Sequence, residues 1–224
     1  MPRVVAFTAG AAALAAATWV AYSPDDSALP LLLVATALLV SGAAWLETGT
    51  DAAKEIVLIA TLAAVAAAGR VLFAAIPGVQ PVTVIVVAAG AGLGARAGFA
   101  TGALAALASN FFLGQGPWTP WQMLGWGVCG LVGAALAPLL RRRLAFAAAC
   151  FVLGFAFSAL MDIWLWLSFW PHTWQALTVV LGRGIWFEAA HAVGNVVIAL
   201  AVGPELRRLL ERYARRLRTE VVWA

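Results

Sequence analysis

Charge is scarce in this chain. Asp, Glu, Lys and Arg make up 11% of its 224 residues, whereas a water-soluble domain carries about 25%. A soluble globular fold is thereby excluded. The single lysine, Lys54, stands outside any G-x-x-x-x-G-K-[ST] run, so ATP hydrolysis on a phosphate-binding loop is excluded as well. The run Gly90-Ala-Gly-Leu-Gly94 misses the dinucleotide fingerprint and reads as a tight turn. Histidine occurs only at positions 172 and 191, and no H-E-x-x-H pair exists. Cys129 and Cys150 lie alone in apolar runs, where a thiol acts as a small hydrophobe. Neither a disulfide framework nor a cysteine metal site is expected, and no cofactor is. Alternating strands of about ten residues, the mark of a membrane β-barrel, are missing too.

Hydrophobic residues, by contrast, make up 64% of the chain. Their runs approach the ~20 residues a helix needs to cross a bilayer. The reading is an all-α polytopic membrane protein in contact with lipid. Eight spans are expected: Val4–Tyr22, Leu29–Leu46, Lys54–Ile76, Val82–Ala95, Ala97–Leu113, Pro120–Leu140, Leu144–Ser168 and Gly184–Val202, followed by a polar helix over Glu205–Glu220. This divides the chain into two N-terminal transmembrane helices (1–50), a six-helix core (51–204) and a basic C-terminal helix (205–224). The first span also has the look of a signal peptide, but is read as retained.

The net charge of +4 comes from basic residues at helix ends, which reads as a topology signal and gives no reason to expect nucleic acid. With the N-terminus inside, twelve of the fourteen Lys and Arg fall on the inner side, and only Arg70 and Arg183 on the outer. That bias places both termini in the cytoplasm of a plasma-membrane protein. The outer loops are then 23–28, 77–81, 114–119 and 169–183.

Polar groups inside a bilayer are costly, so their depth carries information. Arg70 and Asp162 each lie about 9 Å from the outer end of their span at 1.5 Å per residue. Glu188, His191 and Asn195 descend the last span on one helix face. Gln80 sits in the first proline loop, and Asn110, Gln115 and Gln122 flank the second. Eight of the eleven tryptophans fall between Trp118 and Trp186, a density around Trp166 and His172 greater than an interfacial belt requires. With Trp118 and Trp121, they suit a flat, largely apolar ligand with polar edges above a polar floor. Other readings are an ion pair from Arg70 to Asp162 or Glu188 that merely locks helices, an intramembrane enzyme using Asp162, Glu188 and His191, and an ion-coupled secondary transporter. No catalytic or metal-binding residues are assigned. Ala60, Ala64 and Ala68 recur at four-residue spacing, as do Gly90, Gly94, Gly98 and Gly102; such small faces let helices approach closely.

Arg70-Val-Leu-Phe-Ala-Ala-Ile-Pro, Val79-Gln-Pro-Val-Thr, Gly94-Ala-Arg-Ala-Gly-Phe, Ser109-Asn-Phe-Phe-Leu-Gly-Gln-Gly-Pro-Trp-Thr-Pro-Trp-Gln and the final Gly203-Pro-Glu-Leu occur in that order. Together they resemble the substrate-specific S component of energy-coupling factor (ECF) transporters, over about Lys54 to Arg218. The resemblance implies a six-helix core that captures a vitamin or related micronutrient near the outer face and is not an enzyme. It implies docking through Ala60, Ala64 and Ala68 onto a membrane T component with two ABC ATPase subunits. A cobalamin-like corrinoid is the favoured ligand, with riboflavin, thiamin, biotin and pyridoxal-type compounds also open. The two helices before Lys54 depart from the pattern.

Overall fold

The computed structural model describes residues 53–218; the expected spans Val4–Tyr22 and Leu29–Leu46 lie outside them. Among the described residues there are six α-helices and no strand: α1 (Ala53–Leu72), α2 (Val82–Leu93), α3 (Ala95–Leu113), α4 (Thr119–Ala135), α5 (Arg143–Phe169) and α6 (Trp174–Arg218). A 3₁₀ turn, Leu139–Arg141, joins α4 to α5. Lys54–Leu72, Arg143–Phe169 and Trp174–Arg216 are long and apolar enough to cross a membrane, by length and composition, as in a helical membrane protein.

Helix α2 is the axis of the bundle. It is apolar all round, and Val82 through Ala91 are all buried, as expected of a helix with neighbours on every side. It packs against each of the other five helices. Glycine lets α3 and α4 close tightly beside it. A Cβ placed on Gly130 would stand only 2.3 Å from the Gly98 carbonyl carbon, so at this crossing backbone lies against backbone. Of the four evenly spaced glycines, Gly90, Gly98 and Gly102 make such contacts within the chain, whereas Gly94, at φ 106°, forms the α2–α3 turn.

Helix α1 shows two different faces. Ala63, Ala66, Ala67 and Arg70 are buried, while Ala60, Ala64 and Ala68 are exposed. Its helix stops at Leu72, four residues before the expected end, as the chain bends into the loop carrying Gly78 at φ 75°.

The C-terminal third departs most from expectation. Residues 174–183 are helical where an external loop was expected, and the turn between α5 and α6 is only 170–173. The last span and the polar helix are one 45-residue helix that runs through Pro204. A mid-helix proline removes an N–H and leaves the carbonyl four residues back without its donor. That carbonyl belongs to Leu200, and it accepts hydrogen bonds from Arg143 Nε (3.0 Å) and Nη2 at the start of α5. Gly203 lies directly against the Phe146 ring. The broken rung is repaired from a neighbouring helix, and α6 continues. Past the proline, Leu210 (1% exposed) and Arg207 (5%) are still buried, against the end of α2 at Gly92.

Candidate functional site

Four chain segments converge on Arg70 at the end of the bundle that carries the two proline loops. Arg70 sits in the last turn of α1 and is 8% exposed. Its Nε donates to Gln80 Oε1 (3.0 Å), on the loop entering α2. Its Nη1 donates to Ser109 Oγ (2.6 Å) and Asn110 Oδ1 (2.7 Å), at the end of α3. Its Nη2 donates to Gln122 Oε1 (3.3 Å), in the first turn of α4. Below it lies Trp126, its ring centroid 4.8 Å from the Arg70 guanidinium carbon. Asn110 Nδ2 donates to both Thr119 Oγ1 and Gln122 Oε1, each at 2.9 Å. Thr119 Oγ1 donates in turn to Gln115 Oε1 (2.9 Å).

The energetics are those of a buried cation supported by neutral groups. Taking a guanidinium out of water costs several kcal/mol. Each hydrogen bond to a charged group returns about 1.5–3 kcal/mol, and a desolvated cation–π contact about 2. The ion pair with Asp162 or Glu188 is not formed: among the described residues, the partners of Arg70 are all neutral.

Those two carboxylates form a separate centre between α5 and α6. They meet at Gly184, where an added Cβ would stand 2.8 Å from Asp162 Oδ2 and 2.9 Å from Glu188 Oε1. Both oxygens are shielded from solvent and have no hydrogen-bond donor. One turn further on, His191 is turned to the first proline loop, with Nδ1 2.7 Å from Gly78 O and Nε2 3.3 Å from Asn195 Nδ2. A carbonyl only accepts and an amide nitrogen only donates, so Nδ1 carries the proton and Nε2 accepts. Both imidazole nitrogens are thus engaged away from Glu188. Among the described residues no three His, Cys, Asp or Glu side chains gather as metal ligands, so the Asp162–Glu188–His191 arrangement of an intramembrane metalloenzyme is not assembled.

The expected site residues therefore fall into three groups, with Trp118 and Trp121 apart from them. Arg70, Gln80, Asn110, Gln115 and Gln122 share one network. Asp162, Glu188, His191 and Asn195 line the α5–α6 side, the last three on one buried helix face. Trp166 and His172 belong to the α5–α6 turn, where Trp166 Nε1 donates to Pro171 O (2.9 Å) and the two rings lie 5.6 Å apart. Trp118 packs edge-on against Trp164 at 6.4 Å, and Trp121 lies against the cluster of Phe99, Ala103 and Leu124. Sequence reasoning missed Ser109, Thr119 and Trp126. The signal was present: Thr119 and Trp126 stand three residues before and four after Gln122, on one helix face. Trp126 also donates to Thr83 Oγ1 (3.2 Å) and stacks on Phe157 at 4.1 Å; Phe157 in turn lies 6.0 Å from His191. An aromatic bridge thus joins the two polar centres.

Residues 50–208 match the model of one protein family. The chain belongs to the DUF6580 family. That family is described as one of unknown function. Its match begins just before α1 and leaves the two expected N-terminal spans outside. No curated protein and no solved structure matches the chain.

Proposed function

We propose that this DUF6580 protein is the solute-capturing membrane subunit of an ECF-type importer. It would take up a vitamin-like micronutrient, with a cobalamin-like corrinoid the favoured candidate, at the outer face of the plasma membrane, and deliver it inward with a T component and two ATPases. One observation carries the reading: Arg70, Gln80, Asn110 and Gln122 come from four segments to one end of the bundle. The alanine face of α1 supports it, since Ala60, Ala64 and Ala68 are uncovered and would form the docking surface. The basic-residue bias supports cytoplasmic termini and so an outward-facing site.

The test is purification in mild detergent, identification by mass of any small molecule that travels with the protein, and an uptake assay. Ala64→Leu is expected to abolish uptake by the assembled importer while leaving ligand affinity nearly intact, because it thickens the helix face far from Arg70. Equal loss of both would overturn the docking assignment. A second reading rests on the carboxylates meeting at Gly184, the kind of group a proton- or sodium-coupled carrier uses. Uptake into liposomes by this chain alone, driven by an ion gradient without ATP, would establish that reading instead.

A further inference from the structure

We infer that the solute captured at this site carries an anionic oxygen group, a carboxylate or a phosphate, that becomes the counter-ion of Arg70. The inference rests on the capture reading above and adds the class of solute to it.

Three observations support it. First, the bundle buries one guanidinium and two carboxyl groups at the same end, yet keeps them apart. Asp162 and Glu188 meet each other at Gly184, while Arg70 contacts only neutral atoms. A bundle that needed only a clamp would gain more from joining opposite charges; here the positive charge is held by neutral groups and has no counter-ion among the described residues. Second, the donor count is incomplete. A guanidinium has five N–H groups, and four are used: one on Nε, two on Nη1 and one on Nη2. The remaining N–H is on Nη2, whose bond to Gln122, at 3.3 Å, is also the longest of the four. Third, that edge borders the less buried side chains. Ser109 and Asn110, which hold Nη1, are fully buried, whereas Gln80 and Gln122 are only partly so. Gln122 Oε1 also accepts from Asn110 Nδ2, so it can yield Nη2 and keep a partner. An incoming carboxylate or phosphate then meets two N–H groups on one nitrogen, while Nε, Nη1 and the Trp126 face keep the guanidinium in place.

The test uses the full chain in detergent micelles and pairs of compounds that differ in one anionic group: biotin against biotinamide and pantothenate against pantothenol for carboxylate, pyridoxal 5′-phosphate against pyridoxal for phosphate. Acetate and inorganic phosphate at constant ionic strength serve as minimal probes. Binding is read by tryptophan emission, with Trp126→Phe identifying the signal from the ring beneath Arg70, and by the shift in thermal midpoint. The expected result is that an acid binds at least tenfold more tightly than its neutral partner, with the favoured pair separating carboxylate from phosphate. Arg70→Lys should keep that preference and Arg70→Gln should erase it; should Arg70→Gln not fold, the paired compounds on the unaltered chain still decide. If neutral partners bind as tightly as acids, the anion assignment is overturned while capture stands. If no acid, acetate or phosphate produces a response, the assignment is overturned too, and Arg70 is a clamp. The capture reading is then judged separately, by the copurified molecule and the Ala64→Leu result.

Discussion

Two buried polar centres occupy the same end of this bundle and solve opposite problems. Around Arg70 a single charge is surrounded by acceptors from α3, α4 and the loop before α2, and the hydrogen-bond accounting nearly closes. At Gly184 two acids lie together, each with a shielded oxygen that receives no donor. The first centre ties chain segments together. The second leaves buried oxygens unsatisfied, at a cost to the fold. Burial of polar groups is therefore a poor guide to stability until their partners are counted.

The contrast yields a graded set of expectations, all read as thermal midpoints in detergent by near-ultraviolet circular dichroism. Arg70→Ala should cost the most, about 3–5 kcal/mol, because it removes the donors to the buried Ser109 and Asn110 oxygens and the cation over Trp126. A loss under about 1 kcal/mol would show that the network is not what joins α1 to α3 and α4. Gly78→Ala comes next, at about 2 kcal/mol. It forces a side chain into φ 75° with its Cβ 2.8 Å from the His191 amide nitrogen, and so strains the loop that serves both centres. Trp126→Phe should cost about 1 kcal/mol through the lost bond to Thr83 and a weaker face for Arg70. Glu188→Gln should have the smallest effect, leaving the midpoint within about 1 kcal/mol of the parent, because the Glu188 oxygen at Gly184 has no donor to lose. If Glu188→Gln instead destabilised the fold as much as Arg70→Ala, the two centres would not differ in kind.

Much of this arrangement could be read in the chain, for definite reasons. The uninterrupted apolar run Val82–Leu93 marks a helix with neighbours all round, and α2 is that helix. The i, i+3, i+7 spacing of Glu188, His191 and Asn195 places them on one face, and all three are buried. Spacing along a helix is a local property. Which distant side chain turns toward which is not, and there the reading fell short. It offered Arg70 an acidic partner, whereas the loop before α2, the end of α3 and the start of α4 deliver amides and a hydroxyl, and α4 adds a tryptophan face. It separated a span over Gly184–Val202 from a polar helix over Glu205–Glu220, whereas α6 runs through Pro204 as one helix. The guanidinium that satisfies Leu200 comes from Arg143, 57 positions earlier, and no window along the chain contains both. It also expected a loop over 169–183, where a turn at 170–173 suffices.

The repair at Leu200 has a mechanical consequence. Because α6 does not break at Pro204, the face that carries His191 and the arginine-rich end of the chain are parts of one rod. The arm from His191 to Arg218 is about 40 Å at 1.5 Å per residue. A lean of roughly 5° about the far end would therefore swing that face sideways by about 3.5 Å on the same geometry. Anything that grips the arginines thus has leverage on Gly78 and the loop bearing Gln80, without touching either.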